Sequence, residues 1–129
     1  MRCGASGKLR VLAALATIAF LGASAPAGAA SFDCGKAAAP DEIAICANPA
    51  LSDLDVKMAT LYGVRMQIPM LMGSKGAAKD EQTSWLQQRS SCGGNVQCLK
   101  KSYQARIRGL NDIITAAMQD YCVKLGICG

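Results

Sequence analysis

The chain has 129 residues, 51% of them apolar, with 14 basic residues against 9 acidic ones and no histidine. That length suits one domain. Lacking histidine, it also lacks the side chain most used for proton transfer near neutral pH and one of the two commonest zinc ligands.

Residues 1–30 read as an export signal. Arg2, Lys8 and Arg10 make a positive start, and Val11 to Leu21 is an apolar run. Small residues and Pro26 fill the stretch from Gly22 to Ala30. Ala27-Gly28-Ala29 fits the small-x-small cleavage pattern, so cutting is expected after Ala29 or Ala30. A spanning helix needs roughly 20 strongly apolar residues, and Pro26 with the alanine–glycine tail dilutes this segment. Cys34 follows Ser31-Phe32-Asp33, the wrong context for lipidation. The expected product is residues 31–129, periplasmic or secreted, with no stable membrane anchor.

Removing the signal leaves 11 basic residues against 9 acidic, a balance of +2. Nucleic-acid binding normally needs a concentrated basic face. The densest basic stretch, Lys100-Lys101 with Arg106 and Arg108, reads as a solvated helix face.

Cys3 leaves with the signal, and six cysteines remain: Cys34, Cys46, Cys92, Cys98, Cys122 and Cys128. An even set in a small exported domain points to disulfides, for which six cysteines allow 15 pairings. Proximity favours Cys34–Cys46, Cys92–Cys98 and Cys122–Cys128, each contributing about 2–3 kcal/mol. Neither zinc-knuckle spacing nor a Cys-x-x-Cys redox motif is present, so no metal or redox role is expected.

Pro40-Asp41-Glu42 opens a brief helix, with carboxylates where the helix dipole favours them. Asn48 is placed to cap the next helix, with Pro49 at its first position. Ser52 followed by Asp55 offers a second possible cap. Leu51, Leu54, Met58, Leu61, Val64 and Ile68 form one apolar stripe, and Pro69 ends it. Met70 to Lys79, containing Gly73-Ser74-Lys75-Gly76, reads as an exposed loop. A third helix is expected from about Ala78 to Ser91, with Ala78, Trp85 and Cys92 on one face and Gln82 and Arg89 interleaved. After Gly93-Gly94, a last helix runs from near Asn95 to about Tyr121 on Leu99, Tyr103, Ile107, Leu110, Ile114, Ala117 and Tyr121. No stretch shows strand alternation between hairpin turns. The expectation is an all-α, disulfide-tied bundle of about three main helices.

Several of these residues are shared with a known family. Phe32-Asp33-Cys34, then Glu42-Ile43-Ala44-Ile45-Cys46-Ala47 leading into Leu51, Leu54, Asp55, Leu61 and Tyr62, resembles the LprI-type lysozyme inhibitor domain. Gln82, Trp85, Leu86, Arg89, Cys92, Cys98-Leu99, Tyr103, Arg106-Ile107 and Leu110 extend the resemblance over roughly residues 31–110. It implies a helical envelope domain whose protein partner is a lysozyme-type glycosidase. This chain departs from the pattern in lacking a lipidation cysteine and in adding Cys122 and Cys128.

No enzyme signature is present. Asp53, Asp55, Asp80, Glu81, Asp112 and Asp120 read as helix starts and solvated faces, so no catalytic residue, cofactor or metal site is expected. Inhibition needs a surface that enters the cleft and faces its two carboxyl groups. The Met70–Lys79 segment is the candidate, with Ser74 and Lys75 as donors and Met70 or Met72 as apolar contacts. Trp85, Arg89, Tyr103 and Arg106 read as structural, with the arginines stacking on the aromatics or bonding loop carbonyls. Two alternatives stand beside inhibition: an envelope interaction module of the same fold, and Cu(I) capture by the methionines of residues 66–72.

Overall fold

The computed structural model describes residues 30–69 and 72–128. The segment expected to be an export signal, apart from Ala30, and the candidate contact Met70 lie outside the described residues, as does the side chain of Met72. A 3₁₀ turn at Cys34–Lys36 is followed by α1 (Pro40–Ala47), α2 (Pro49–Gln67), α3 (Met72–Ser90) and α4 (Val96–Leu125). The architecture is an all-helical, disulfide-tied bundle, and among the described residues there is no strand. None of these helices is long and apolar enough to cross a membrane.

Local chemistry explains each boundary. Pro40 stands at the start of α1, where a missing N–H costs nothing. Ala39 offers no capping side chain, so Glu42 reaches back and accepts the N–H groups of Ala38 and Ala39 at 3.1 and 3.3 Å. Those bonds hold the Glu42 carboxyl below the usual range. Asn48 ends α1 and begins α2, its Oδ1 accepting the Leu51 N–H at 3.2 Å. Ser52 is not a cap: it is buried, and its hydroxyl donates to the Ile45 carbonyl at 2.8 Å, tying α2 to α1. α2 stops at Gln67, before Ile68 and Pro69.

The expected loop from Met70 to Lys79 is corrected, because α3 begins at Met72 and takes in both Gly73 and Gly76. Each glycine costs a helix about 1 kcal/mol. Ala78, fully buried in the first half of α3, anchors that half and offsets part of the cost. The turn into α4 uses Gly93 at a φ of 52°, where a β-carbon is disfavoured. Asn95 then caps α4, accepting the Cys98 N–H at 3.0 Å.

The core is Ile45, Leu51, Met58, Trp85, Leu99, Tyr103, Ile107 and Leu110, built mainly where α2 packs along α4. Past Leu110, Ile114, Ala117 and Tyr121 are only half-buried. Tyr121 steadies this extension by donating to the Pro69 carbonyl at 3.0 Å. The three disulfides are Cys34–Cys46, Cys92–Cys98 and Cys122–Cys128, with Cα separations of 5.7, 5.6 and 5.2 Å. They join the opening turn to α1, close the α3–α4 turn, and fold the chain end back on α4.

Gly63 sits within α2, and a β-carbon built there meets nothing within 4 Å. Gly63→Ala should therefore raise stability by about 0.5–1 kcal/mol, seen as a higher urea midpoint at unchanged slope. A lower midpoint would contradict this packing of α2.

Candidate functional site

One face of α3 carries the polar chemistry of the interior. Ala78, Gln82, Trp85 and Arg89 recur at spacings of three and four, and all are buried. This is the face expected from the sequence, but its polar members do more than line the helix.

Arg89 is the hub. Its Nε donates to Asp41 Oδ2 at 3.0 Å, and Nη2 lies 3.0 Å from the same oxygen. Its Nη1 donates to the Tyr103 hydroxyl at 3.1 Å. Tyr103 in turn donates to Asp55 Oδ1 at 2.8 Å, and Arg89 Nη1 stands 3.8 Å from that oxygen. The second Asp55 oxygen accepts the Ser31 backbone N–H at 2.6 Å. Trp85 completes the cluster, its ring 5.8 Å from the guanidinium carbon and edge-on to Tyr103 at 5.3 Å. Burial, reinforced by the Asp55 charge, pushes the Tyr103 phenol far above its ordinary range. All four helices thus meet through one guanidinium and one phenol.

A second polar layer lies seven residues, about two turns, earlier on α3. Gln82 accepts from Arg106 Nε and Nη2 at 3.2 and 2.9 Å, while its own amide donates to the Met58 sulfur at 3.3 Å. Arg65 donates to Glu81, which holds that carboxyl below its usual range. Two buried donors, Arg65 Nε and Trp85 Nε1, have no partner among the described residues.

The predicted site residues separate into two groups. Trp85, Arg89 and Tyr103 come together in the buried cluster, and Arg106 stands in the second layer against Gln82. Arg89 lies over the Trp85 ring, one of the two expected arrangements, while its hydrogen bonds go to Asp41 and Tyr103 and those of Arg106 to an amide, not to loop carbonyls. Ser74 and Lys75 are exposed but stand in the first turn of α3, not in a loop. Met66 is half-buried at the end of α2.

Asp41, expected as a first-turn carboxylate favoured by the helix dipole, and Asp55, expected at a helix start or on a solvated face, are both only 1% exposed. The signal was present in the register. Asp55 lies four residues after Leu51 and three before Met58, inside the apolar stripe, as Arg89 lies four after Trp85. A carboxylate and a guanidinium in core register on two helices predict that they meet, because an isolated buried charge costs several kcal/mol.

Outside the network, α3 and α4 border an open groove of about 530 Å³, with Trp85 in its wall and Arg106 on one side. Ala77, Asp80, Glu81, Ser84 and Gln88 line it along α3, again at spacings of three and four. Ser74 stands in the same register one turn earlier, so the α3 face from Ser74 to Gln88 mixes small and polar residues with two carboxylates. It supplies hydrogen-bonding groups on a concave surface rather than a reactive centre.

Arg89→Ala would leave two carboxylates buried without their cation. It should cost about 3–5 kcal/mol, against about 1–2 kcal/mol for Tyr103→Phe, in denaturant melts. Equal, small losses would refute the hub. Because the Tyr103 phenol is raised, its contribution is intact below about pH 10 and fades as pH climbs above that value. Wild type should accordingly lose more stability than Tyr103→Phe between pH 10 and the phenol's shifted range.

No protein-family model, no curated protein and no solved structure matches this chain.

Proposed function

We propose that the protein is an exported inhibitor of a lysozyme-type glycosidase that acts by stoichiometric contact. The observation that carries this reading is the convergence of the residues behind the family resemblance. Asp55, Trp85, Arg89 and Tyr103, scattered along the sequence, meet in one buried cluster, and Gln82 with Arg106 forms a second, part-buried layer beside it. Such a network is a framework for a surface, and a binding protein needs no more. The three disulfides support maturation in an oxidising compartment, periplasmic or extracellular.

The contact surface in this reading is the outer face of α3 with the adjoining groove. A glycosidase cleft presents two carboxyl groups. Lys75, Ser74 and Gln88 are donors on or beside that face, which also carries Asp80 and Glu81, and Ala77 and Ser84 leave room for close approach.

The test is lysozyme hydrolysis of cell walls with increasing amounts of the purified, oxidised protein. Activity should fall and level off near equimolar addition. Full activity at about tenfold excess would end the reading. Ser74→Ala with Lys75→Ala should weaken inhibition by about tenfold, as for a moderate hot spot, while leaving the melting temperature unchanged because both residues are exposed. Undiminished inhibition by this variant would move the contact away from α3.

A further inference from the structure

The charge around Arg89 does not balance. Asp41 and Asp55 are both 1% exposed, and Arg89 is 7% exposed. Two carboxylates therefore share one guanidinium. Arg89 commits Nε and Nη2 to Asp41, leaving Asp55 with a 3.8 Å approach from Nη1 and the neutral Tyr103 hydroxyl. An uncompensated buried carboxylate is costly, and a nearby cation would relieve it.

The atom closest to filling that need is a backbone nitrogen. The Ser31 N–H donates to Asp55 Oδ2 at 2.6 Å, across 24 residues of sequence. Ala30 packs against the core beside it. Ser31 itself is exposed and stands at the rim of a cavity of about 300 Å³ whose wall includes Phe32, Asp55, Tyr62, Gln82 and Arg89. A charge placed at this rim keeps part of its hydration while reaching a buried partner.

We infer that export processing cuts between Ala30 and Ser31, and that the new α-ammonium of Ser31 becomes the missing counter-charge of Asp55. Gly28-Ala29-Ala30 supplies small residues three places and one place before that bond, as the cleavage pattern requires. Hydrolysis of the Ala30–Ser31 peptide adds water: the carboxylate leaves with the signal, and the amine stays and takes a proton. A cut one residue earlier would leave a neutral amide at Ser31 and carry the charge about 3.8 Å along the chain. The site thus reads the position of the cut. This inference rests on the export reading and is independent of lysozyme inhibition.

The ammonium faces Asp55 on α2 directly. The other ionisable groups around it are Arg89 from α3, Tyr103 from α4, Asp41 and Glu42 from α1, and Tyr62 from α2. With a carboxylate at hydrogen-bond distance, its pKa rises above the value of about 8 for a free terminal amine. Its contribution to stability is then complete below about pH 8 and is lost as pH rises through the raised value.

The experiment uses the product exported from the full-length gene. Mass spectrometry and N-terminal sequencing should give a chain starting at Ser31, and NMR titration should place its α-amine at least about one unit above 8. Asp55→Asn should return it to about 8. N-terminal acetylation, which removes the charge without touching Asp55, should lower the melting temperature by several degrees and serves if the asparagine variant does not fold. A chain starting at Ala30 or elsewhere overturns the assigned cut and the Ser31 ion pair with it, but not the export reading. Retention of residues 1–30 overturns it together with the export reading. A Ser31 start with an ordinary amine, or with a melting temperature indifferent to acetylation, overturns the ion pair.

Discussion

The guanidinium of Arg89 is the constraint on which the remaining geometry depends. It projects from α3, holds Asp41 of α1, and reaches Asp55 of α2 through Tyr103 of α4. Apolar burial alone is non-directional, so a small core of eight buried residues tolerates rotation and sliding of its helices. Hydrogen bonds to a planar, rigid fork do not. Each partner must stand at one height and one rotation about its helix axis for the set to close. The network thereby turns an approximate bundle into a single arrangement, and it positions the outer face of α3 as a consequence.

The two polar layers divide this work. The Arg89 layer is buried and draws on each of α1 to α4. The Gln82 layer opens toward solvent through Arg106 and Glu81 and borders the groove. Trp85 lies between them, against Tyr103 on one side and in the groove wall on the other. A surface built on α3 is therefore coupled to the core through one indole, whose N–H has no partner among the described residues. Packing, not hydrogen bonding, sets the place of that ring.

Much of the fold was legible from periodicity and caps. Asn48-Pro49 and Asn95 locate helix starts that the structure reproduces within a residue, while α4 runs to Leu125, four residues past its expected end. What stayed hidden shares one physical cause: tertiary contact overrode a local preference. Gly73 and Gly76 argue for a loop, yet α3 runs through both with Ala78 buried beyond them. Ser52 and Asp55 look like a helix start, yet both are inside because Ile45, Tyr103 and Ser31 supply their partners. A helix-dipole or capping argument weighs a residue against its own helix. It does not weigh a hydrogen-bonding partner 48 residues away, which is the separation of both Asp41–Arg89 and Asp55–Tyr103. For the candidate surface, the donors Ser74 and Lys75 were picked out from the sequence. The groove beside them was not, since it exists only where α3 and α4 diverge.

The disulfides carry a consequence for how the chain acquires its shape. Each joins a cysteine to the next one along the chain, at separations of 12, 6 and 6 residues. Under the export proposed above, the polypeptide presents its thiols one after another, and an oxidant acting on arrival couples neighbours. Here that first-come pairing coincides with the final one. Reshuffling by an isomerase is then unnecessary, and the ends of the helices can be stapled before the ionic hub between them has assembled.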